Sequence, residues 1–164
     1  MNKLKLFIIT FLILLLTGCK PHFNTSDYLK EKIDLDVSKC IILRDNDDHN
    51  IFGLGETIIE LNCKYDKENI EKQIKNYNKL PLSDNLQYIM YKEEKDEENE
   101  ELYHLAKNNK IPEIEDGYYY FINRYNKREL KYDDKDIFED LSLKFTLVLY
   151  DNKTSTLYYY EYDE

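Results

Sequence analysis

The pattern of apolar and polar positions divides the chain into an apolar leader and a mixed remainder. Residues 6–16 are apolar except for Thr10, preceded by Lys3 and Lys5. Beyond Ser26 the pattern becomes periodic. Ser26 or Asp27 offers a side-chain oxygen to cap a short helix over Tyr28 to Ile33. Val37 to Leu43 and Glu56 to Cys63 are rich in β-branched residues and predict two strands. The segment from Asp45 to Asn50, with Gly53 and Gly55, supplies turn formers, so these strands are expected to close as a hairpin with a long loop. Asp66 opens an amphipathic helix of about three turns, with Ile70, Ile74 and Tyr77 on one side, ended by Asn78 to Pro81. Ser83 to Tyr91 fits either a short strand or a turn of helix.

The last third predicts strands over Tyr118 to Tyr125, Leu141 to Tyr150 and Thr156 to Tyr162. In the middle one Leu141, Leu143, Phe145, Leu147 and Leu149 alternate with Ser142, Lys144 and Thr146, which sets one row on a core and the other toward water. The expected fold is therefore α+β: an antiparallel sheet of about five strands, made of a β-hairpin, then a helix, then a three-stranded C-terminal part, with a helix packed on one face. No internal repeat is present, and residues 27–164 are expected to form a single domain.

At about 1.5 Å per residue the apolar run spans roughly 16 Å, half of a ~30 Å hydrocarbon core, which favours a cleaved leader over a membrane-spanning helix. It ends in Leu16-Thr17-Gly18-Cys19. This motif resembles the lipobox of bacterial lipoproteins, a branched apolar residue and two small ones before a cysteine. The resemblance implies a signal peptide over 1–18 and a diacylglyceryl group on the thiol of Cys19. It also implies a polar lipidated tether over 19–26 and a domain held at the extracytoplasmic face of the cell membrane. Two or more acyl chains give stable attachment where one gives only reversible binding.

The 164 residues carry a net charge of −10, with 42% apolar and 14% aromatic side chains, a globular composition. Loss of Lys3 and Lys5 with the leader makes the charge more negative still. Nucleic acid is thereby disfavoured as a partner, since phosphate needs a basic face opposite it. Lys92 to Glu101 contains no apolar residue and reads as a solvated acidic excursion.

Four groups of residues are candidates for chemistry. If the first two strands pair about a centre between Ile51 and Phe52, Cys40 faces Cys63. A disulfide is then available in an oxidising compartment, the alternative being two reduced cysteines packed as small apolar residues. Asp45, Asp47 and Glu56 fall at calcium-loop places one, three and twelve, with His49 at five, giving a possible ligand loop. His49 and Asn50 depart from the oxygen ligand and glycine wanted at places five and six, and the alternative is a plain polar turn. The chain has 16 tyrosines and no tryptophan. Tyr118-Tyr119-Tyr120 and Tyr158-Tyr159-Tyr160 offer either a flat platform for a sugar or peptide, or β-formers on a half-exposed surface. Histidines 22, 49 and 104 have no G-x-S-x-G serine, Cys-His signature or zinc spacing beside them, and Gly53-Leu54-Gly55 opens no phosphate loop. No cofactor or metal is implied, and a non-catalytic binding domain with a protein or cell-wall partner is expected, the alternatives being an accessory or protective protein that pairs with one surface protein, or a surface hydrolase.

Asp47 to Glu60, Lys79-Leu80-Pro81-Leu82-Ser83, Ile111 to Tyr120 and Leu149 to Tyr160 together resemble a group of small secreted or lipid-anchored proteins of gut Firmicutes. His49, Phe52, Gly53, Gly55 and Glu56 keep parts of that group's hairpin loop, which here is one residue shorter and has Leu54 in place of an aspartate. The resemblance implies export and this order of elements, and it carries no activity.

Overall fold

A computed structural model describes residues 24–92, 104–125, 130–131, 134–135, 137–138 and 142–164. The expected leader, Cys19 with the tether up to residue 23, and residues 93–101 of the acidic run lie outside the described residues. Helix α1 spans Thr25–Ile33. It starts before Tyr28 because Asn24, rather than Ser26 or Asp27, is its cap: Asn24 Oδ1 accepts from the Ser26 amide at 3.0 Å.

Strand β1 spans Ile41–Asp47 and β2 spans Gly55–Asn62. The first strand thus begins four residues beyond Val37, which is buried in the core, and the Cys40 amide closes a turn back onto the Val37 carbonyl at 2.9 Å. It also runs on through Asp45 and Asp47, residues expected in the turn, whose carboxylates meet Thr25 of α1 and His49. At the open end Ile41 faces Asn62 and Ile42 faces Leu61; past a bulge the register shifts by one, so that Asp45 faces Ile59 and Asp47 faces Thr57. Cys40 and Cys63 flank that open end, joined as a disulfide with Cα atoms 4.4 Å apart. At the other end Gly55 has φ +145°, and a Cβ there would meet the His49 Cα at 2.7 Å, so the backbone crossing needs glycine.

After a 3₁₀ turn over Lys64–Asp66, α2 covers only Lys67–Gln73. It is shorter than the three turns expected, but Ile70 and Ile74 are fully buried. Strand β3 (Asn78–Lys79) precedes a cis peptide at Leu80-Pro81. The ambiguous segment is a helix, α3 (Asp84–Tyr91), capped by Ser83, whose hydroxyl accepts from the Leu86 amide at 3.3 Å. Helix α4 covers Leu105–Asn108. Strands β4 (Gly117–Asn123), β5 (Leu130–Lys131), β6 (Lys144–Asp151) and β7 (Thr156–Asp163) complete the fold.

The chain is α+β, with an antiparallel sheet in the order β1-β2-β7-β6-β4-β3 and β5 paired to β4. The expected helix on one face, α2, is joined there by α1, packing Leu29, Ile70 and Ile74 on Ile59, Val148, Tyr150 and Tyr159. Helices α3 and α4 cover the opposite face, packing Leu86, Ile89 and Leu105 on Ile58, Phe121, Phe145 and Tyr160. Both rows of β6 are therefore buried, and the expectation that one of them faces water fails: Thr146, Val148 and Tyr150 meet the α1 and α2 layer instead. Alternation along a strand separates two faces, but it does not say that only one of them is covered.

Candidate functional site

The cross-strand row Asp47, Thr57, Glu161, Thr146 runs from β1 through β2 and β7 to β6. Two residues further on, Asp163 shares a face with Glu161. Arg124, just past β4, lies over this row. Its Nη1 is 3.0 Å from Glu161 Oε1 and its Nη2 2.9 Å from Asp163 Oδ2, and Nη2 also donates to the Phe145 and Tyr162 carbonyls. His49, carried over by the turn, bridges the row: Nε2 is 3.1 Å from Asp163 Oδ2 and Nδ1 is 2.6 Å from Asp47 Oδ1. Tyr28 of α1 donates to Glu161 Oε2 at 2.8 Å, and Tyr159 donates to the same oxygen. Thr25, at the start of α1, donates to Asp45 Oδ2 at 2.5 Å.

The result is a chain of charged and polar side chains, Asp47 to His49 to Asp163 to Arg124 to Glu161, closing on two phenols. Burial works against a charged His49 ring, but the bonds to Asp47 and Asp163 outweigh it and hold the pKa above the ordinary histidine value. Burial would likewise raise the Asp47 carboxyl; the ring and backbone of His49 and the Thr57 hydroxyl overcome it and lower that pKa. Desolvation by burial, with the Glu161 charge adding to it, keeps the Tyr28 and Tyr159 phenols neutral.

Beside this network Thr25, Tyr28, Asp45, Asp47, Thr57 and Ile59 line a cleft of about 120 Å³. The Thr57 hydroxyl lies 3.3 Å from His49 Nδ1, the spacing of a nucleophile and base. Both ring nitrogens, however, point at carboxylates, and the Thr57 hydroxyl itself donates to Asp47 Oδ1 at 3.2 Å, so the ring is not placed to accept the Thr57 proton. The arrangement holds protons in place and pins α1 and the turn to the sheet.

Of the residues singled out in the sequence, Asp45, Asp47 and His49 come together on this face. Glu56 does not: it lies on the opposite face, accepting from Tyr160 Oη at 2.6 Å and Asn109 Nδ2 at 2.8 Å. Among the described residues no group of three His, Cys, Asp or Glu side chains is placed to hold a metal ion. Tyr158, Tyr159 and Tyr160 form no platform, since all three are buried between the sheet and the helices; of the other triplet Tyr120 is buried and Tyr118 and Tyr119 are half-buried. Arg124, Glu161 and Tyr28 were not singled out in the sequence. The one available signal was Glu161, an acid within an otherwise aromatic strand.

The exposed surface shows a second feature. Ile41, Ile42 and Leu43, consecutive on β1, are each about half exposed, and Ile51, Phe52 and Leu54 project from the turn. Strand β1 ends the sheet, and among the described residues no strand pairs with its outer edge. A larger open groove, of about 430 Å³, lies between α3 and residues 111–115. Along it Tyr91 donates to the Pro112 carbonyl and Gln87 to Glu113. No family model, curated protein or solved structure matches the chain.

Proposed function

We propose that the chain is a lipoprotein held by acylated Cys19 at the extracytoplasmic face of the membrane, where it works by binding. Its partner is a surface protein, an extended segment of which adds to the outer edge of β1. The observation that carries this reading is the open edge itself, with its half-exposed Ile41, Ile42 and Leu43. An unpaired edge with apolar side chains is a liability in a protein that stays alone, and edges are ordinarily short, charged or covered. Strand addition supplies main-chain hydrogen bonds for affinity and alternate side chains for specificity.

Two further features support the reading. The Cys40–Cys63 disulfide suits an oxidising compartment, and it anchors the start of the binding strand. The net charge of −10, with Asp45 and Asp47 on the same strand, steers the domain toward a basic partner. A hydrolase is the competing reading, and the commitment of His49 to two carboxylates weighs against it.

Capture from detergent-solubilised membranes tests the proposal. Wild-type protein is expected to retain one abundant protein, lost with Ile42→Asp and released as salt rises to about 0.3 M, where charge steering is screened. Equal capture by Ile42→Asp would overturn the role of the edge.

A further inference from the structure

The turn between β1 and β2 exposes Ile51 by 93% and Phe52 by 80%, far more than any core role allows. Nothing in the turn requires them. Asn50 holds its shape, its Oδ1 accepting from the Phe52 and Leu54 amides at 2.8 and 3.2 Å, and Gly53 supplies the positive φ. Polar residues at positions 51 and 52 would leave every one of those bonds intact.

The second observation is where the chain emerges. Helix α1 begins over β1, with Thr25 hydrogen-bonded to Asp45. At about 3.4 Å per residue, the tip of the turn lies about 20 Å beyond Asp45 along the hairpin. Fully extended, the stretch from Cys19 to Thr25 also reaches about 20 Å. The chain between them is thus long enough for an acyl-bearing Cys19 to reach the level of Phe52. The opposite end of the sheet, where Tyr65 follows β2, points the other way.

We propose that Ile51 and Phe52 are a second membrane contact, inserted into the headgroup layer of the leaflet that holds the Cys19 lipid. The inference rests on anchoring at Cys19. With both contacts made the strands stand upright on the membrane, and the β1 edge faces sideways, toward a partner in the same membrane. The acids behind the tip, Asp47, Asp48 and Asp163, set a limit: insertion stops at the turn and weakens as anionic lipid is added. Tethering supplies a high local concentration, so the small apolar tip engages without the basic flank that a free domain would need.

The absence of tryptophan makes the test direct. Phe52→Trp and, at the far end, Tyr65→Trp each introduce a single fluorophore at an exposed site. With Cys40 and Cys63 in their disulfide, the Cys19 thiol of the chain from residue 19 onward couples to a maleimide lipid in phosphatidylcholine vesicles. Brominated acyl chains then report contact. Emission from position 52 is expected to shift to the blue and fall by about half, the depth of an interfacial contact, while emission from position 65 is unchanged. Adding Ile51→Ser should reduce the quenching, and so should anionic lipid. Unquenched emission from position 52 in vesicle-bound protein would overturn the proposal, and would show that the tip is left for a protein partner. Because coupling is chemical, this result is independent of natural acylation. Natural acylation is read separately, from the mass of the amino-terminal peptide of membrane-extracted protein.

Discussion

Reduction of the Cys40–Cys63 disulfide has a consequence that follows from topology. The bond closes a loop of 23 residues in separation, and loss of loop-closure entropy in the unfolded chain gives about 3.5 kcal/mol of stabilisation. For a domain of this size each kcal/mol moves the melting temperature by about 3 °C, so reduction is expected to lower it by about 10 °C. The loss is not spread evenly. Among the described residues strand β1 pairs only with β2, and the disulfide holds it where the paired register begins. Amide hydrogen exchange over Ile41–Asp47 is therefore expected to accelerate under reducing conditions well before that of β6 and β7, which have partners on both sides. Thermal melts with and without dithiothreitol, together with exchange followed by mass spectrometry, measure both effects; a Cys40→Ala, Cys63→Ala double variant should match the reduced form. Melts within about 2 °C of each other, or a uniform change in exchange, would refute the reasoning.

Four further outcomes follow from the packing. Arg124→Ala leaves the carboxylates of Glu161 and Asp163 without their guanidinium and is expected to cost about 3 kcal/mol in urea unfolding at neutral pH; a loss below about 1 kcal/mol would contradict the network. His49 has a raised folded pKa, so its contribution is complete below about pH 6.5 and is lost as pH rises through the folded value. A His49→Gln variant should lack that alkaline loss, and an identical pH profile in both proteins would count against the clasp. Asp47 has a lowered pKa and contributes in the opposite sense, its share present above the ordinary aspartate value and lost as pH falls through the folded one. Gly117→Ala would set a Cβ 1.8 Å from the Tyr150 carbonyl oxygen, and the β4–β6 pairing must open to admit it; a melting temperature within a degree or two of wild type would be incompatible with the close approach.

Local pattern reveals much of this molecule. The alternation in residues 143–149 and the β-branched run from Thr57 to Leu61 mark strands because a period of two has no helical reading. The start of β1 was obscured, since Val37 is as β-prone as Ile41 yet belongs to the core beneath α1. Ser83 to Tyr91 is short, and only the Ser83 cap distinguishes it as a helix. The burial of Tyr158, Tyr159 and Tyr160 depends on a helical layer over each face, which no strand pattern encodes. The His49–Asp163 and Arg124–Glu161 contacts join residues far apart in sequence, so only the sheet register brings them together.

The proposed role of the anchored domain is engagement of a neighbouring protein along β1. Its most direct test is photo-cross-linking in the native cells from a reactive residue placed at Ile42, with Tyr65 as the comparison site and Cys19→Ala as the unanchored control. One abundant protein is expected to be joined through position 42, absent from position 65 and lost when Cys19 is replaced. The same products from both positions, or products that persist without Cys19, would contradict it.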